Sequence, residues 1–497
     1  MKTLRPIAAA LALALPASAF AETAITVYSS ARPGTLSPQT FRNGGEGMAI
    51  PGYALIREER SFALKGGRNL LRVSDVPALI DPTTVAFMSL TDPKSTRVVE
   101  QSFEFDLTST NKLLSRFLDR EITVDAARGT GVESIGGTLV GTQGGLILKQ
   151  PDGSIRIVEN HNGIKLPSLP GGLISKPTLV WDVETATAGN HNARFAYQTG
   201  GMTWWADYNI TYSDAAGGCK LDVGSWVTLV NQSGASYNDA RLKLIAGDVQ
   251  RAQTRPQSMP APAMAARAMV KEESGFAEKA FFEYHLYTLG RTTSLPDNST
   301  KQIELFPTST GVNCEKTLLY VGQAGNYFNY GSPMTDRNYG VQSNRKVDVY
   351  LRFKNAKDNQ LGVPLPAGKI RVSKLDPSDK SLEFIGEDLI DHTARDETVQ
   401  IKLGSAFDVV GERRQVDFRI DTSARWIEED IEVKVRNQKP DEASTVLVKE
   451  NLYRWSNWSV IRKSQEFTRE DSRTIIFPVK LAPKAEAVIR YTVRYTW

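Results

Sequence analysis

Residues 281–306 read FFEYHLYTLGRTTSLPDNSTKQIELF, and the fold class turns on their spacing. Phe282, Tyr284 and Leu286 fall at every second position with Glu283 and His285 between them, the period of a half-buried strand. Tyr287 and Leu289 move the apolar set to the other parity, which predicts a bulge or a strand buried on both faces. Pro296, Asp297 and Asn298 favour a turn through a fixed φ and through side chains that bond their own backbone. Beyond them Ile303 and Leu305 alternate with Gln302 and Glu304. The stretch predicts a β-hairpin.

The same period recurs outward in both directions. On the N-terminal side it marks Ile25–Tyr28, Ala54–Ile56, Val85–Leu90, Val98–Leu107, Thr178–Val183, Ala193–Thr199, Thr203–Tyr212 and Leu221–Val230. A second hairpin is predicted where Phe62 and Leu64 lead through Lys65-Gly66-Gly67 to Leu70 and Val73. On the C-terminal side it marks Lys346–Phe353, Val416–Ile420, Ile427–Val435, Ser444–Leu452, Thr474–Val479 and Ala487–Tyr495. One helix breaks the pattern: Thr110 or Asn111 would cap it, and Leu113, Leu114, Phe117 and Leu118 form its apolar stripe. Between Ile122 and Ile164 very short strands alternate with glycines, which predicts a small closed barrel.

At 497 residues the chain exceeds a single core. The expected class is all-β: multidomain β-sandwiches with a small inserted β-barrel and one short helix. The expected segments are a signal peptide at 1–21, an N-terminal β domain at 22–110, and the helix with the barrel at 111–170. A central β-sandwich follows at 171–375, interrupted by a flexible insertion at 251–274 where Pro, Ala, Gln and Met show no apolar period. An immunoglobulin-like sandwich is expected at 376–497.

The leader reading rests on Lys2 and Arg5, the apolar run Ile7–Leu15, and small residues before Ala19 and Ala21. That run is too short to span a bilayer, and no later segment predicts a transmembrane helix. The expectation is an exported protein, periplasmic first, with extracellular and outer-membrane-associated as the alternatives. A net charge of +4 across 60 basic and 56 acidic residues gives no broad basic field, so no nucleic-acid partner is expected. Cys219 and Cys314 suit an oxidising compartment and are expected to form a disulfide.

Seven of these stretches also carry a family pattern: LIDPTTV (79–85), GMTWWADY (201–208), residues 281–306, GVPLPAGKIRV (362–372), GEDLIDHTARDE (386–397), FDVVGER (407–413) and YTVRYTW (491–497). Together they resemble the bacterial family built on domain of unknown function 4139, across nearly the whole chain. Some relatives, the mucoidy-inhibitor-like proteins, add a coiled coil, and this chain shows no such heptads. The resemblance implies β-rich domains and export. It supplies no reaction and no catalytic residue.

Chemistry has two candidate locations. Asp388, Asp391, His392, Asp396 and Glu397 gather ligands suited to a divalent metal or an acid–base pair, yet they also read as charges solvating a turn. They lack the register of a calcium loop. Trp204, Trp205, Trp455 and Trp458 could stack on sugar rings, though neighbouring positions such as 204 and 205 must point to opposite faces of a strand. No Gly-x-Ser-x-Gly elbow or His-Glu-x-x-His pattern occurs, the four histidines are far apart, and no cofactor motif is present. The terminal set Ile489, Tyr491, Val493, Tyr495 and Trp497 fits either a sandwich strand or the last strand of a membrane barrel. The reading favoured is a non-catalytic envelope scaffold or binding module whose partner is an envelope protein or glycan. The rivals are a hydrolase or carbohydrate-binding protein acting on envelope polymer and, second, an outer-membrane-associated protein.

Overall fold

The computed structural model describes residues 22–28, 50–105, 109–128, 131–168, 174–214, 218–247, 249–250, 276–323 and 331–497. The leader 1–21 and the insertion 251–274 lie outside the described residues. The first strands are β1 (Glu22–Tyr28), β2 (Tyr53–Leu64), β3 (Gly67–Val73), β4 (Ile80–Ser89) and β5 (Arg97–Glu104). Helix α1 (Thr110–Arg116) precedes β6 (Glu121–Arg128), β7 (Gly131–Gly141), β8 (Leu146–Lys149), β9 (Ile155–Val158) and β10 (Gly163–Lys165). Then come β11 (Thr178–Thr185), β12 (Gly189–Gly200), β13 (Met202–Ser213), β14 (Lys220–Asn231) and β15 (Tyr237–Ala246). After the insertion come β16 (Phe276–Phe281), β17 (Tyr284–Leu295), β18 (Ser299–Val321), β19 (Lys346–Lys354), β20 (Gly368–Leu375) and β21 (Leu382–Ile390). The chain ends in β22 (Thr398–Asp421), β23 (Trp426–Asn437), β24 (Ser444–Asn451), β25 (Trp458–Lys463), β26 (Thr468–Arg469), β27 (Thr474–Leu481) and β28 (Glu486–Thr496).

The all-β class holds. A seven-stranded sheet, β16-β17-β15-β1-β2-β12-β4, faces a three-stranded sheet, β3-β11-β5, and one end of a thirteen-stranded sheet. Their inner residues share a core in which Trp181 meets Phe62, Phe87 and Phe195. The large sheet runs β21-β20-β13-β14-β18-β19-β22-β23-β28-β25. Strands β18 and β22, 23 and 24 residues long, pass from one core into the next. β20 and β21 pair with each other across residue 376, so the sheet is continuous there.

Two expected hairpins are crossings between sheets instead. β17 pairs with β15 and β16, whereas β18 pairs with β14, β19 and β24, so residues 296–298 carry the chain from one sheet to another. Asn231 Nδ2 holds this turn through the carbonyls of Leu295 and Pro296 (both 3.1 Å), and Asp297 Oδ1 accepts the Gly234 N–H. Likewise β2 lies in the seven-stranded sheet and β3 in the three-stranded one, on either side of Lys65-Gly66-Gly67. Alternation states which face is buried, and a polar turn serves a hairpin or a crossing equally well. The hairpin that does form is β16–β17. Phe282, expected in a strand, sits in its turn at φ 57° with its side chain exposed.

The predicted small barrel is an open sheet, β10-β6-β7-β8-β9. Strands of three or four residues at its ends are too short to wrap round and close. One face packs on Leu114 and Phe117 at α1, whose cap is Ser109 rather than Thr110 or Asn111: Ser109 Oγ accepts the Lys112 N–H (3.3 Å). Leu118 faces solvent. β15 and β16, which precede and follow residues 251–274 in sequence, both flank β17 in one sheet. At the C-terminus β23-β28 and β24-β27 enclose a sandwich core, with Ile489, Tyr491, Val493 and Tyr495 all pointing inward.

Candidate functional site

The run β21-β20-β13-β14-β18-β19-β22 curls around its own apolar core until β21 lies beside β22. No strand ladder joins these two edges among the described residues. Instead Asp388 Oδ2 accepts the Lys402 N–H (2.7 Å), a side chain standing in for a ladder bond. Gly386 permits the approach, because a Cβ there would lie 2.4 Å from the Leu403 carbonyl oxygen.

The curl leaves a pocket of about 220 Å³ bordered by β13, β18, β19, β20, β21 and β22. Tyr212, Val349, Leu351, Ile385 and Leu403 line it, and Lys316 and Lys374 stand beside them. Lys374 Nζ pairs with Asp214 (2.8 Å) and lies 5.7 Å from the centre of the Tyr212 ring; Lys316 pairs with Glu442 (3.3 Å). The Cys219–Cys314 disulfide secures this end. Its Cα atoms are 5.0 Å apart, and it extends the ladder in which Ser213 opposes Lys220 and Lys220 opposes Asn313.

The strands that border the pocket also carry, on their outer faces, apolar side chains that the core does not use. Leu375 is 42% exposed, Leu382 59%, Phe384 61% and Phe407 94%. Leu375 opposes Leu382 in the β20–β21 ladder, and Ser373 opposes Phe384. β21 and β22 lie side by side, so Leu382, Phe384 and Phe407 sit on neighbouring strands. Exposed apolar groups gathered in this way mark contact surfaces more often than scattered ones do.

The residues singled out from sequence have other employments. Asp388 is in β21, not in a loop, and its Oδ1 also accepts the Leu389 N–H (2.9 Å). His392 Nδ1 accepts the Ala367 N–H (3.0 Å), and the Asp391 carbonyl accepts the Thr393 hydroxyl. Asp396 and Glu397 bond through their backbones to Asn355. Among the described residues no group of three His, Cys, Asp or Glu is placed to hold a metal ion. Trp204 is wholly interior beneath Tyr287, with Nε1 3.3 Å from the Ile245 carbonyl, and Trp205 is half-buried. Trp455 and Trp458 pack on the C-terminal core; Trp458 Nε1 donates to the Ser472 carbonyl (2.8 Å) while the Arg469 guanidinium lies 4.1 Å over its ring.

Sequence reasoning missed two buried ion pairs. Arg413 meets Glu450, whose Oε2 also accepts the Tyr491 hydroxyl (2.5 Å); burial, then Glu450, pushes that phenol well above its ordinary range. Arg454 meets Glu429 (2.8 Å) and donates to the carbonyls of Met334, Asp336 and Tyr339. A signal existed. Glu429 falls on the parity of Ile427, Ile431 and Val433, and Glu450 on that of Val446 and Val448, both core-facing sets. These pairs fix the sandwich and the segment from 334 to 339.

Fold and pocket together define an all-β protein with a side-chain-sized pocket bordered by strands that carry exposed apolar residues. No family model, curated protein or solved structure matches the chain.

Proposed function

We propose that the chain is a non-catalytic binding module of the cell envelope, exported by its leader, that receives one apolar side chain of a protein partner in the β13–β22 pocket. The observation carrying this reading is the exposure of Phe384 and Phe407 on β21 and β22, two of the strands that border that pocket. A pocket of about 220 Å³ falls below the size of ordinary small-molecule sites but suits a branched or aromatic side chain. An apolar centre with a polar rim is the anatomy of a protein interface. Lys316 and Lys374 would exchange Glu442 and Asp214 for a carboxylate next to the anchor. Membership of the family resembled in sequence belongs to the same proposal, since GVPLPAGKIRV, GEDLIDHTARDE and FDVVGER contribute to β20, β21 and β22.

Selection of a random peptide library on the purified protein tests it. Enriched peptides are expected to pair an aromatic or branched residue with a neighbouring Asp or Glu, and to lose binding to a Phe384→Ser/Phe407→Ser variant of unchanged circular dichroism. Peptides without that pattern, or indifferent to the variant, would contradict it.

A further inference from the structure

We infer a second binding surface, for another copy of this chain: two molecules pair antiparallel along the outer edge of β5. β5 ends the three-stranded sheet and β4 ends the sheet facing it, leaving a groove of about 500 Å³ between these two edges. Val85, Phe87, Met88, Val98 and Val99 form its apolar lining, and Met88 and Val99 are exposed. A terminal strand of this kind offers backbone groups to an incoming strand.

The side chains of β5 match themselves. In the ladder with β11, Val98 opposes Val183 and Glu100 opposes Asp182, so Val99 is bulged out. Val98, Gln101 and Phe103 therefore share the face of core residues Val183, Trp181 and Leu179, while Arg97, Glu100, Ser102 and Glu104 share the other. Antiparallel neighbours must lie on the same face. A two-fold axis at Gln101, with Val99 left out, meets that demand along the strand: Ser102 meets Glu100, Phe103 meets Val98, and Glu104 meets Arg97. Within one molecule Arg72 already binds Glu104, and Glu184 binds Arg97 (2.9 Å). Across the seam the row becomes Arg72, Glu104, Arg97, Glu184, alternating in sign. β3, the opposite end of the same sheet, shows the contrast, because a two-fold at its central Leu70 would set Arg68 against Arg72.

The pairing would join two three-stranded sheets into six strands and bring the two β4 edges together over the groove. Sedimentation velocity of the whole protein is the test. The native chain is expected to dimerise. Arg97→Glu alone and Glu104→Arg alone set like charges at both ends of the seam and are expected to weaken the dimer about tenfold or more, while the combined variant recovers part of the loss, re-forming the pair across the seam although each reversed charge meets its like within its own molecule. Both side chains are exposed, and unchanged circular dichroism confirms that each variant is folded. A native protein that stays monomeric at about 100 μM, or a dimer indifferent to the single reversals, overturns the inference.

Discussion

Arg413 Nε lies 2.8 Å from Glu450 Oε2, with both side chains almost wholly withdrawn from water. Removing one partner strands the other charge in the core, which typically costs about 3–5 kcal/mol. Glu450→Leu is expected to lower the free energy of urea unfolding by that amount. The double variant Arg413→Met/Glu450→Leu should recover part of the loss, since it removes the stranded charge and leaves only the buried Tyr491 hydroxyl without its acceptor.

Arg454 makes a different kind of contact, holding a segment rather than a partner strand. Its guanidinium reaches four backbone carbonyls from Met334 to Tyr339 as well as Glu429. Lysine keeps the charge but not the fork. Arg454→Lys is expected to cost about 1–3 kcal/mol and to speed proteolytic cleavage between 331 and 345 while the remaining sheets stay resistant.

Glu278 couples β16 to the loop before β22. Burial alone would raise its carboxyl, but the His285 hydrogen bond (2.8 Å) and the charges of His285 and Arg395 outweigh burial and hold it below its ordinary value of 4.5. A carboxyl depressed on folding adds stability above its unfolded pKa and loses it as pH falls through the folded one. The melting temperature of the native protein, relative to Glu278→Gln, is therefore expected to fall as pH drops below about 4.5 and to level off at higher pH.

The disulfide closes a separation of 95 residues, for which chain entropy predicts about 4–5 kcal/mol. Reduction, or Cys219→Ala/Cys314→Ala, is expected to lower the unfolding free energy by up to that amount. Peptide binding at the pocket should weaken as well, because the bridge lies at the same end of the curled sheet.

Period-two spacing made the strands legible, including the inward set of Ile489, Tyr491, Val493 and Tyr495. It could not name each strand's neighbour. Ser294 and Lys301 flank a turn that could fold back on itself, but Asn231, distant in sequence, secures it as a crossing. Phe282 matched strand spacing, and only its positive φ excludes it from β17. The pocket was illegible for a related reason: Tyr212, Lys316, Val349, Lys374, Ile385 and Leu403 come from six strands, joined only by the curl of the sheet. Neither Phe384 nor Phe407 stood out in the sequence, because spacing does not reveal which face lacks a covering layer.

The binding proposal is tested most directly by photo-cross-linking from positions 384 and 407 in intact cells, with position 282 as an exposed control far from the pocket in sequence. The expected result is one shared protein adduct from 384 and 407, absent from 282, whose sequenced cross-linked peptide carries an apolar residue beside an Asp or Glu. Scattered adducts with no common peptide, or equal labelling from 282, would contradict it.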